Sequence, residues 1–161
     1  MNLPKIFLLF LLLFGATIYS TAQKNFARSA TKAADASSLR LIVEGMNRKL
    51  IEAFNRKDLS GVARIYADDA TIYYPHYQSK QGKKIQGREA IDKYWMAIEK
   101  PKEWKLEIVE VGGTKEAIWE IGKSTLTEEF NGKDITYVSD FIVIWKLQKD
   151  GTYRIHTDIY N

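Results

Sequence analysis

The sequence predicts an α+β fold with three helices in its first half and a curved, mostly antiparallel sheet behind them. Three observations carry this expectation. Apolar residues recur at three-and-four spacing in three stretches before residue 100, the period switches to two after Pro101, and the pairs Gly112-Gly113, Asn131-Gly132 and Asp150-Gly151 cut the alternating part into strands. A run of helices followed by a meander packs with the helices on one face of the sheet, over whatever space that face encloses.

The chain begins with a segment that reads as an address rather than as fold. Lys5 precedes the apolar run Ile6 to Phe14, and Ser20-Thr21-Ala22 supplies the small residues of a cleavage site, so residues 1–22 are expected to be a secretory signal peptide. Gly15, Thr17, Ser20 and Thr21 dilute the run below the roughly 20 apolar residues of a spanning helix. The expected product is an exported protein, periplasmic or secreted, with no membrane anchor. Residues 23–38, rich in Ala, Ser, Lys and Thr, read as a flexible leader to a domain over 39–161.

Val43, Met46, Leu50, Ala53 and Phe54 mark the first helix over 39–55, with Ser38 as its cap. Asp58 caps a second, whose inner side would be Leu59, Val62, Ile65 and Tyr66, ending before Asp68-Asp69. Thr71 to Tyr74 is a short strand stopped by Pro75, and residues 76–86 form an exposed loop. Gly87 opens the third helix, with Ala90, Ile91, Tyr94, Trp95 and Ile98 on one side. Strands follow through Trp104, Leu106 and Ile108, through Ala117, Trp119 and Ile121, from Ile135 to Leu147, and from Tyr153 to the end.

Composition narrows the chemistry. With 24 Lys+Arg against 20 Asp+Glu, the net charge of +4 lacks the basic concentration of a nucleic-acid binder. No cysteine is present, which removes disulfides, thiolate metal sites and cysteine nucleophiles. Asp68-Asp69 and His76 are a poor metal set, more simply read as a turn, and no cofactor is expected. Lys80, Lys83, Lys84, Lys93 and Arg88 read as a solvated face, or else as an attractor for an acidic ligand or anionic surface.

Three segments carry a resemblance: Tyr66-Ala-Asp-Asp-Ala-Thr-Ile-Tyr-Tyr-Pro75, Ile85-Gln-Gly-Arg-Glu-Ala-Ile-Asp-Lys-Tyr-Trp95 and Lys149-Asp-Gly-Thr-Tyr-Arg-Ile-His-Thr-Asp-Ile-Tyr-Asn161. Together they resemble the nuclear transport factor 2-like superfamily, in particular its SnoaL-like branch and the domain of unknown function 4440. The resemblance implies a cone whose sheet wraps a pocket capped by the helices, and a homodimer through the sheet's outer face. The superfamily includes ketosteroid isomerases, polyketide cyclases, dehydratases, epoxide hydrolases and non-catalytic binding or assembly domains. Carried over by position, the isomerase groups fall on Tyr74, Leu50 and Val143, none of which has the required chemistry, and Asp140 lies on the opposite strand face. Steroid-type isomerisation is therefore not expected.

The last strand is the most informative segment for chemistry. Arg154, His156, Asp158 and Tyr160 alternate on one side, which in an isolated meander would be the solvent face. Register from the Asp150-Gly151 turn instead aligns His156, Asp158 and Tyr160 with positions that line the cone in the isomerase relatives. Same-face neighbours sit about 7 Å apart, so His156 and Asp158 are expected to pair as base and orienting acid, with Tyr74 or Tyr94 as donor. The expected catalytic set is His156, Asp158 and Tyr74, and the expected ligand-binding set is Leu50, Tyr94, Trp119, Ile121, Phe141, Val143 and Tyr160. For Trp119 and Phe141, core or dimer interface is the competing reading. The expected partner is a small, partly apolar organic molecule, bound or turned over by a lyase, isomerase or hydrolase step, with a non-catalytic binding or assembly module as the alternative.

Overall fold

Helix α1 forms because Val43, Met46, Leu50, Ala53 and Phe54 share one face, and all five are buried against the rest of the chain. The computed structural model describes residues 35–74 and 83–161, with α1 over 35–55. The expected signal peptide, and with it Pro75, His76 and Lys80, lie outside the described residues. The chain divides into two units, Met1–Ser38 and Leu39–Asn161, and the site lies in the second. Residues 35–38 are already helical, so Ser38 is inside the helix and not its cap.

Lys57 takes a positive φ of 61° and ends α1, after which Asp58 starts α2, Leu59–Arg64. The Asp58 carboxylate accepts from the Gly61 N–H at 2.7 Å, as the sequence leads one to expect of a cap. Tyr66 does not continue this helix. It opens strand β1, Tyr66–Tyr74, which absorbs the Asp68-Asp69 pair expected to be a turn. The loop expected over 76–86 ends in a short strand, β2, Lys83–Gln86, paired antiparallel to β1. Gly87, with φ 86°, then caps α3, Arg88–Met96.

The meander comprises β3 (Pro101–Gly113), β4 (Ala117–Phe130), β5 (Lys133–Leu147) and β6 (Tyr153–Tyr160). Asn131 and Gly132 both adopt positive φ, 52° and 76°, the conformation a two-residue hairpin between twisted strands requires. Among the described residues six strands lie in the order β2-β1-β6-β5-β4-β3, and the β1–β6 pair alone is parallel. The fold is thus α+β, with three helices and a mixed, mostly antiparallel sheet.

The inner face of the sheet packs Ile72, Ile118, Phe141, Trp145 and Ile155 with Val43, Phe54, Ile91 and Trp95 from the helices in one core. Gly122 on β4 is required here, because a Cβ at that position would stand 2.4 Å from the Phe141 ring and 2.6 Å from the Glu107 carbonyl oxygen. The ring lies directly over the β4 backbone. Bulges interrupt the ladders: Tyr66 pairs with Ile155 but Thr71 with Thr157, and on the other side of β6 Trp145 pairs with Ile155 but Ile144 with Thr157. His156 therefore has no partner on β5, and this single extra residue decides the chemistry of the site.

Candidate ligand site

Between the helices and the inner face of the sheet lies a cavity of about 890 Å³. Asp158 and Tyr160, two apart on β6, face it together, and Tyr66 from the start of β1 lies across from Asp158. The Tyr66 hydroxyl donates to Asp158 Oδ2 at 2.7 Å. The Tyr94 and Tyr160 hydroxyls are hydrogen-bonded to each other, and Tyr74 stacks on Tyr160 with centroids 5.9 Å apart and planes within 13°. Trp95 and Trp104 extend this aromatic wall at 5.2 Å, and the Trp104 indole N–H donates to Ser124 Oγ at 2.8 Å. Among the described residues the Trp95 indole N–H meets no acceptor in hydrogen-bonding geometry, although it lies near enough to the Tyr66 phenol to ease its ionisation slightly.

Burial sets the electrostatics. Asp158 opens onto the cavity, so part of its surface is accessible, yet protein surrounds it closely. Desolvation pushes its pKa up to about 6 against the opposing effect of the Tyr66 hydrogen bond. Desolvation likewise pushes Tyr94 up to about 12 and raises Tyr66 and Tyr160 above the usual phenol range, so all three remain neutral donors at physiological pH. Among the described residues, no three His, Asp or Glu side chains cluster in a way that could hold a metal ion.

The structure brings together most of the expected residues. Leu50, Tyr74, Tyr94, Phe141, Val143, Asp158 and Tyr160 all line the cavity. The three positions aligned with isomerase groups, Leu50, Tyr74 and Val143, do converge on it, with side chains that supply neither the carboxyl nor the neutral acid of that chemistry. The expected pairing of His156 with Asp158 is corrected. The bulge at His156 shifts the alternation, so Ile155 takes the inner face and His156 leaves it. Its Nε2 instead stands 3.7 Å from Asp69 Oδ2, and its Nδ1 lies 3.1 Å from Thr157 Oγ1.

Trp119 and Ile121 are also corrected, because neither lines the cavity. Apart from Glu120 both faces of this stretch of β4 are apolar, and the fold turns Ile118 and Glu120 inward. Trp119 covers Gly112 on the neighbouring strand, where a Cβ would come within 2.3 Å of the indole. Sequence reasoning missed two residues. Tyr66, taken as the end of a helix, is the hydrogen-bond partner of Asp158. Glu120 is fully buried beneath the cavity, where it accepts from Asn47 Nδ2 at 2.5 Å and Trp145 Nε1 at 2.9 Å. The available signal was a lone acid inside the apolar run Ala117 to Gly122.

The sequence pattern of the SnoaL-like domain matches residues 47–156. Among solved structures, a ketosteroid isomerase-like protein from Erwinia carotovora atroseptica superposes with a TM-score of 0.62 at 17% identity, covering 74% of this chain and 92% of the other. A nuclear transport factor 2-like protein of unknown function from Shewanella oneidensis gives 0.60 at 17% identity, covering 74% and 95%. A protein provisionally designated a SnoaL-like polyketide cyclase, from Shewanella denitrificans, gives 0.51 at 17%, covering 73% and 87%. At these identities the likeness concerns the fold. No curated protein sequence matches the chain.

Proposed function

Because the chain belongs to the SnoaL-like domain family of the nuclear transport factor 2-like superfamily, we propose that its cone binds a small, partly apolar organic molecule and that Asp158 exchanges a proton with it. One observation carries this reading: a carboxyl group inside an 890 Å³ cavity, held by a single tyrosine hydroxyl, with its pKa raised to about 6. A proton-transfer group works best when its pKa lies near the working pH, and Asp158 is placed there by burial. The aromatic wall contributes apolar contact, and the unpaired Trp95 N–H calls for an acceptor on the ligand.

Titration with 4-tert-butylphenol tests the reading, because Trp95, Trp104 and Trp145 line the cavity and report occupancy by fluorescence. We expect quenching that is lost when Val143→Trp fills the space. Calorimetry in buffers of different ionisation enthalpy should show proton uptake on binding near pH 6, since a neutral ligand displaces water and raises Asp158 further. In Asp158→Asn that uptake should vanish. Absence of quenching by this phenol and by a charged molecule of the same shape alike, or uptake that persists in the variant, would rule the reading out.

The same reading includes a homodimer. Tyr73, Ile159, Ile142 and Ile121 lie opposite one another across four strands, on the face turned away from the cavity. Such an apolar row suits the self-complementary contact of a twofold pair. Light scattering should show a dimer that Ile142→Glu converts to a monomer; a monomeric wild type at high concentration would refute it.

A further inference from the structure

We infer that the ligand is an organic cation, an amine or quaternary ammonium group on a partly apolar body, with its positive charge seated between the Asp158 carboxylate and the faces of the tyrosine cluster. This presupposes the cavity to be a ligand site, as proposed above, and adds the charge of what it takes.

The distribution of charge is the first reason. The whole chain carries a net charge of +4, yet among the described residues lining the cavity none is Lys, Arg or His, and the charged ones are Asp158 and Glu128. An excess of cations has been kept out of this one interior space. The Arg88 guanidinium comes near, but it donates to the backbone carbonyls of Ala63 and Tyr66 and pairs with Asp68 and Asp92, so it faces away from the cavity. An anionic ligand would find two carboxyl groups and no counter-charge. Beside protein walls that repulsion is stronger than it would be in bulk water.

The second reason is the chemistry of the wall. Asp158 Oδ2 accepts from Tyr66, while Oδ1 has no protein donor among the described residues, which leaves it open to a ligand N–H or to direct Coulombic contact with an onium group. Tyr74, Tyr94 and Tyr160 form a continuous patch, with Tyr74 within 6.0 Å of Tyr94 and 5.9 Å of Tyr160. The hydroxyls of Tyr94 and Tyr160 are engaged with one another, so what this patch adds to the wall is aromatic surface more than free donors. Ring faces are the electron-rich side of an aromatic and attract cations, most strongly where water is displaced. A carboxylate beside such faces is a recognition site for positive charge.

Two probes of the same shape separate charge from fit: 4-hydroxyphenyltrimethylammonium and its neutral isostere 4-tert-butylphenol, titrated into the purified protein by tryptophan fluorescence and calorimetry. At pH 7.5 the cation should bind at least tenfold more tightly. The groups facing Asp158 are Tyr66 from β1, Tyr94 from α3, Tyr160 from its own strand and, through the core, Glu120 from β4. The three phenols stay neutral below pH 8, and ionisation of Asp158 should raise the cation's affinity by about tenfold between pH 5 and 7.5, a rise that Asp158→Asn should abolish. Cation binding should release a proton near pH 6, where the neutral probe takes one up. Asp158→Asn should reduce the preference to under threefold at both pH values, and Tyr74→Leu should weaken the cation selectively. Equal binding of the two probes, or a preference that survives in Asp158→Asn, would overturn the inference while leaving the cavity as a ligand site. Failure of both probes to bind would remove the ligand-site reading and this inference together.

Discussion

Replacing Glu120 by alanine should lower the unfolding free energy by about 3–5 kcal/mol, the combined cost of two buried donors left without an acceptor and of the void left behind. Glu120 has no exposed surface, and it joins α1 to the sheet by accepting from Asn47 Nδ2 and from Trp145 Nε1 on β5. Desolvation raises its pKa, with the two hydrogen bonds opposing that rise. Removing the carboxyl strands both donors in the core at about 1–3 kcal/mol each and leaves a void in addition. The conservative variant is informative too. Glu120→Gln keeps the volume but presents an NH2 group to one of two N–H donors, so one contact becomes donor against donor, and a loss of about 1–3 kcal/mol is expected. Urea unfolding of both variants at neutral pH checks the order. Should alanine cost less than about 1 kcal/mol, the network would be incidental to the fold.

Asp158→Asn should act in the opposite direction and stabilise the protein at pH 7.5 by up to about 3 kcal/mol. Its pKa rises from 3.8 to about 6 on folding, mainly through desolvation, so the folded protein holds the proton more tightly than the unfolded chain. For a raised carboxyl, stability is fully present below the unfolded value near 4 and is lost as pH climbs through the folded value near 6. A shift of about two units corresponds to about 3 kcal/mol at most, and water in the cavity reduces it. Asparagine carries no charge to desolvate and still offers an oxygen to the Tyr66 hydroxyl, so the gain should be present at pH 7.5 and absent at pH 4. Glu120, also raised by burial, remains in the variant and retains its own share of the pH dependence. Denaturant melts of both proteins at the two pH values measure this. A variant no more stable than wild type at pH 7.5 would mean that Asp158 ionises without strain, and would weaken its proposed role in proton transfer. Where the prediction holds, the protein keeps a carboxylate at a cost in stability, as expected of a group retained for function.

Tyr66 shows why the site was only partly legible in the sequence. Helix-spaced apolar residues run from Leu59 through Val62 without interruption, and nothing in that pattern says that the helix stops at Arg64 and that Tyr66 turns into the cavity. The β1–β6 pairing makes that choice, by taking Tyr66 opposite Ile155. The same holds for β4, where Trp119 and Ile121 are as apolar as Ile118, so alternation alone cannot tell inside from outside. The positions of α1 and α3 decide it, because the inward side of the strand must meet Asn47 and its neighbours. His156 is lost from the cavity for a comparable reason, since a bulge adds one residue without any mark in the sequence and reverses every face before it.

What the sequence determined by itself was local and periodic: the buried stripe of α1, the Asp58 cap, the start of α3 at Gly87, the Asn131-Gly132 hairpin, and the succession of helices and strands that makes the fold α+β. These follow from steric and hydrogen-bonding preferences that act over a few residues. The tertiary structure alone decided which carboxyl faces the cavity, that its partner is a tyrosine from the adjacent parallel strand β1 and not the neighbouring histidine, and that a second acid is buried beneath it. Each depends on strand register, and register is set by contacts between residues distant in the chain, where a shift of one residue costs little locally and exchanges the two faces of a strand.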